Sequence, residues 1–137
     1  MELRDAQRRV DLYISQFEEG YWPPLSNLAR LTEEVGELAR LMNHRFGHKP
    51  KKPDEAEQEL ALELADVLFV LLVIANEQGI DLDHALERTL EKYRVRDADR
   101  WTRKDEGAPA DGGDQLPEIG PYRSSVVVTE PSFPITT

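Results

Sequence analysis

No cysteine occurs among the 137 residues, which excludes disulfides, thiol nucleophiles and thiolate metal sites. Histidine is scarce too, and the three present (His44, His48 and His84) are expected in surface or capping roles. Long apolar runs are missing: the longest uninterrupted one, 67–75, falls far short of the roughly 20 residues that cross a bilayer. There is no glycine-rich phosphate loop, nucleophilic serine elbow or zinc motif. Positive charge is in short supply, with 17 Lys and Arg against 27 Asp and Glu. A net charge of −10 argues against a nucleic-acid duplex as partner, because binding phosphates along a duplex requires a basic face. The opening MELRDAQRRV lacks the apolar centre of a secretory signal, so no membrane association and a cytoplasmic location are expected.

The acidity is unevenly spread. From Asp105 onward six acids face one base, Arg123, and the same stretch holds five of the nine prolines and four of the eight glycines. Such a composition buries little, so residues 105–137 read as an extended or disordered tail on a domain spanning 1–104. Within the tail, SSVVVT has the character of one short strand.

Residues 1–104 carry four helical periods. Leu3, Ala6, Val10, Tyr13 and Phe17 form an a/d seam, which GYWPP interrupts. Leu28, Leu31, Val35, Leu38 and Met42 repeat the spacing up to about Phe46, where GHKPKKP breaks the chain. A third helix is expected to begin near Pro53 or Asp54, with acids in its first turn, and to end near Gly79. A fourth, capped by Asp81, should bury Leu82, Ala85, Leu86, Thr89 and Tyr93 and run past Arg96. The expected fold is all-α, a four-helix bundle. Because the third helix is apolar nearly all round, it needs cover on every side, which calls for a homodimer or a tetramer.

That helix nevertheless carries Glu63 and Asp66 inside LALELADVLFVLLVIA. Helical spacing puts Glu59, Glu63 and Asp66 on one face, and Glu34 and Glu37 on one face of the second helix with Glu33 beside them. Both rows continue into apolar positions, Leu41 in one and Val70 and Val73 in the other, so they face the bundle interior. A solvated face and pairing with a neighbouring Lys or Arg are the plain alternatives. Within the motifs, however, Arg40 is the one basic residue at i+3 or i+4 of an acid. Converging carboxylates in a partly dry site repel one another, and a divalent cation such as Mg²⁺ relieves that repulsion. Di-iron chemistry would need Glu-x-x-His pairs, and the nearest match, Asp81 to His84, lies outside the acidic rows. The competing function is a non-catalytic helical module whose acids bind a metal or a basic partner.

Glu33-Glu34-Val-Gly-Glu37 followed by Glu63-Leu-Ala-Asp66 resembles the EExxE…ExxD signature of the MazG-like nucleotide pyrophosphohydrolases, and the similarity extends over residues 5–104. The resemblance implies a Mg²⁺-dependent enzyme, with Mn²⁺ as a substitute, that cleaves nucleoside triphosphates to the monophosphate and pyrophosphate as nucleotide-pool house-cleaning. By motif position it implies Glu34, Glu37, Glu63 and Asp66 as metal ligands, with Glu33 as a further ligand or the base that orients water. Phosphates also need fixed cations, and Lys92 and Arg96 are one helical turn apart, with Arg100 and Arg103 beyond. Trp22, next to Tyr21, offers a ring for stacking on a base, and Asn76 an amide for reading a base edge or sugar; a helix-start anchor and a helix-end cap are the alternatives.

Overall fold

The computed structural model describes residues 2–54 and 58–102. All regular structure among these residues is helical: α1 (Leu3–Ile14), α2 (Pro24–Phe46), α3 (Leu60–Glu77) and α4 (Leu82–Arg96). They belong to one compact unit, Met1–Arg100. The tail and its SSVVVT segment lie outside the described residues, as does Arg103.

Helix α3 is the centre of the packing. α2 makes the most extensive contact with it, α1 packs on it as well, and α1 also touches α4. Val10 of α1 meets Leu72 and Val73 of α3 in the buried core, with Ala6, Ile14, Tyr21, Phe69 and Leu82 against them. Full burial of one such side chain stabilises by roughly 1.5–3 kcal/mol. Val10 of the α1 seam meets α3 as expected, but the α2 seam does not: Leu28, Val35 and Met42 are exposed, as is Tyr13 of α1. Helix α2 buries Asn27 and Leu41 instead, because the face that it turns to α3 is the one carrying Glu34.

Helix ends differ from the sequence reading in three places. α1 stops at Ile14, so Phe17 leaves the helical seam and turns its ring onto Tyr13, centroids 5.4 Å apart. α3 starts at Leu60, not near Pro53; Pro53 and Asp54 lie in a turn, and residues 55–57 lie outside the described set. The helix begins where the apolar run begins, since most helical stability in a protein comes from packing an apolar face. α4 ends at Arg96, where the Asp97 N–H bonds back to the Tyr93 carbonyl at 2.9 Å. Nor does α4 bury the residues expected of it: none of its side chains is buried, and Leu86 and Tyr93 are exposed.

The α3–α4 junction is tightly specified. The Ile80 N–H bonds to the Ala75 carbonyl at 2.8 Å and the Gly79 N–H to the Asn76 carbonyl at 3.1 Å, a Schellman closure with Gly79 at φ +64°. Asp81 then caps α4, accepting from the His84 N–H at 3.2 Å, and takes an ion pair from Arg4 of α1 at 2.6 Å. Asn76 ties α3 to α1: its amide nitrogen donates to the Gln7 carbonyl (2.8 Å) and the Tyr21 hydroxyl (3.1 Å), and its oxygen accepts from Gln7 Nε2 (3.0 Å).

Candidate active site

The α2–α3 contact brings the two acidic rows together. Carboxylate oxygens of Glu34, Glu37 and Glu63 all lie within 4.8 Å of one another. Glu63 is buried, Glu34 half-buried and Glu37 exposed. Asp66 is exposed one turn further along α3, near enough for its charge to act on Glu63, and Glu33 is exposed beside Glu34. Glu59, expected in the same row, is the N-cap residue of α3 and exposed.

Glu63 is the group under stress. Its Oε2 is buried and, among the described residues, has no hydrogen-bond partner. Desolvation first, then the charges of Glu37, Asp66 and Glu34, push its carboxyl above the ordinary range, and Arg40 only partly offsets them. An orphaned, buried carboxylate oxygen facing two further carboxylates is a donor set suited to a hard divalent cation, which takes oxygen ligands.

Beside this cluster lies a cavity of about 360 Å³, within the size range of small-molecule pockets. Tyr13, Phe17, Tyr21, Trp22 and Phe69 make its aromatic wall, and Asn27 and Arg30 of α2 supply polar groups. Asn27 is buried and donates to the Trp22 carbonyl at 3.0 Å and to Glu77 Oε2 at 3.3 Å. Those bonds hold the loop after α1 against α2 and α3. Arg30 bridges cavity and acids, with its guanidinium carbon 5.6 Å from the Trp22 ring centre and its Nε 3.4 Å from Glu34.

The structure thus joins Trp22 to the acidic cluster through Arg30. It gives Asn76 a different setting, among Gln7 and Tyr21. Lys92 and Arg96 flank the Tyr93 ring at 5.0 and 4.5 Å, and Arg96 forks onto Asp97 with two bonds of 2.8 Å. The sequence reading missed Arg30, Asn27 and the cavity. Arg30 does leave a signal in the sequence, since it stands four residues before Glu34, on its N-terminal side.

The MazG nucleotide pyrophosphohydrolase domain matches residues 23–101, which hold both acidic rows. The chain belongs to the MazG family. YpjD of Bacillus subtilis (strain 168) is 54% identical over 105 residues, covering 77% of this chain and 95% of YpjD. YvdC of the same strain is 29% identical over 104 residues, covering 70% and 96%. The crystal structure of Bacillus subtilis YPJD superposes with a TM-score of 0.62 at 50% identity, covering 68% of this chain and 95% of that one. That of the Bacillus-conserved MazG protein, a nucleotide pyrophosphohydrolase, gives 0.60 at 41% identity, covering 78% and 97%. The all-helical architecture of this MazG chain is therefore shared with relatives matched over nearly their whole length.

Proposed function

We propose that this MazG-family chain is a Mg²⁺-dependent hydrolase of nucleoside triphosphates, ribo or deoxy, releasing the monophosphate and pyrophosphate in nucleotide-pool house-cleaning. The observation that carries the reading is the meeting of Glu34, Glu37 and Glu63, with a buried orphan oxygen on Glu63, beside an aromatic cavity.

Glu34, Glu37, Glu63 and Asp66 would hold the cation, with Mn²⁺ able to replace Mg²⁺. Bound there, it supplies charge neutralisation at the phosphate oxygens and a lowered barrier to water attack. Water adds across the α–β anhydride, and Glu33, exposed at the rim, accepts its proton. The pyrophosphate and the monophosphate separate as the bridging P–O bond breaks. Trp22 stacks on the base in the aromatic cavity, and Lys92 and Arg96 balance phosphate charge. The leucines that α3 leaves exposed (Leu62, Leu64, Leu68 and Leu71) support assembly as a homodimer or tetramer.

The test is incubation with Mg²⁺ and a panel of nucleoside triphosphates, followed by pyrophosphate release. Release that Glu63→Gln abolishes is expected. A protein that binds metal and releases no pyrophosphate from any of them is a non-catalytic module instead.

A further inference from the structure

Arg30 stands beside the acidic cluster, paired loosely with Glu34. Its Nε is buried, yet among the described residues it makes no hydrogen bond. Glu34 Oε1 is the ion-pair neighbour, but 3.4 Å is long for a charge-assisted N–H···O bond. Other arginines are firmly held: Arg96 forks onto Asp97 at 2.8 Å, Arg94 onto Glu91 at 2.8 and 2.9 Å, and Arg4 bonds Asp81 at 2.6 Å. Arg30 keeps its side chain 42% exposed, and its guanidinium lies at the wall of the cavity near Trp22. It therefore stands where the aromatic cavity gives way to the carboxylates.

We propose that Arg30 binds the phosphate nearest the nucleoside, leaving Glu34 for that phosphate when a cation takes the carboxylate. The inference rests on the nucleotide reading above. A nucleoside seated in the cavity with its phosphates towards Glu34, Glu37 and Glu63 must carry its first phosphate past Arg30. A planar guanidinium can grip two phosphate oxygens at once, which an ammonium cannot. In the metal-free protein Arg30 screens Glu34, and it competes with a cation for that carboxylate. Cation and phosphate together resolve the competition, because each takes one member of the loose pair.

Two binding measurements on the full chain test this without turnover. Titration calorimetry in EDTA compares each of four deoxynucleosides with its 5′-monophosphate. Wild type should bind the preferred monophosphate at least about tenfold more tightly than its nucleoside, the scale of a charge-assisted contact. Arg30→Gln should lose that advantage and keep the nucleoside affinity, and Arg30→Lys should keep part of it. Mn²⁺ titration should show Arg30→Gln binding the cation more tightly than wild type, since a competing positive charge is gone. A purely structural role would not move the two affinities in opposite directions. An undiminished monophosphate advantage in Arg30→Gln, a wild type with none, or weaker Mn²⁺ binding in the variant overturns the proposal. If Arg30→Gln does not fold, full retention of the advantage by Arg30→Lys also overturns the bidentate grip. Pyrophosphate release separates this from the hydrolase reading. Release with unchanged monophosphate binding in Arg30→Gln sinks Arg30 alone, whereas no release with Arg30-dependent binding sinks the hydrolase alone.

Discussion

Glu63 sits where an unpaired carboxylate is least welcome, on the most apolar helix and out of water. Its raised pKa means that the folded metal-free protein holds a proton there more tightly than the unfolded chain does. The stability this gives is complete below the unfolded value, about 4.3 for Glu, and is lost as pH rises through the folded one. Metal-free wild type should therefore lose melting temperature relative to Glu63→Gln as pH climbs from about 4.3 towards neutrality. At neutral pH, Glu63→Gln should melt at or above wild type. Excess Mg²⁺ should reverse the order, because a ligand at 100 times its Kd stabilises by about 2.7 kcal/mol and the variant has lost its central carboxylate. Parallel melting curves for the two proteins at every pH would remove the stress assigned to Glu63.

The helix elements divide into ends that hold the fold and faces that present chemistry. At the end of α3, Asn76 joins half-buried Gln7 and Tyr21, and its removal takes away three hydrogen bonds that tie α3 to α1 and the loop after it. Asn76→Ala should cost about 1–3 kcal/mol in denaturant unfolding. Normal stability with a raised KM would instead return Asn76 to the substrate. Gly79→Ala should cost about 1 kcal/mol although a Cβ there meets nothing within 4 Å, because the cost lies in the positive φ. On α4 the proposed phosphate cations predict that Lys92→Ala lowers kcat/KM about ten- to hundredfold with the melting temperature unchanged. Unaltered kinetics would make Lys92 surface charge stacked near Tyr93.

For the whole molecule, one chain leaves much apolar surface uncovered. Leu62 and Leu64 of α3 are 60% and 52% exposed, and an apolar groove of about 380 Å³ runs between α3 and α4, lined by Leu68, Leu71, Leu82 and Leu86 among others. Sedimentation at micromolar concentration should give a dimer or tetramer, and a monomer would reject the assembly. Deleting residues 107–137 should leave helical content and cation binding unchanged. Loss of cooperative unfolding on that deletion would make the tail part of the core.

Periodicity was enough to count four helices, to place Val10 on the inward seam of α1 and Val70 and Val73 on the inward row of α3, and to put Glu34, Glu37 and Glu63 on facing rows. A repeat every three or four residues needs only the helix geometry of the chain itself. The start of α3 at Leu60 and the exposure of Leu86 depend on which neighbours supply cover, and spacing along one helix carries no record of that. The same holds for the site. Spacing identified the carboxylates, but their unequal burial, with Glu63 dry and Glu37 wet, follows from how α2 lies on α3. The cavity is assembled from α1, the loop after it, α2 and α3, so no single period announces it. Arg30 becomes the link between ring and carboxylate only when that loop folds back to set Trp22 beside α2. Local sequence determined the elements and their chemistry, because helix formation is a short-range matter. Tertiary packing decided which charges were dried, since desolvation depends on residues distant in the chain.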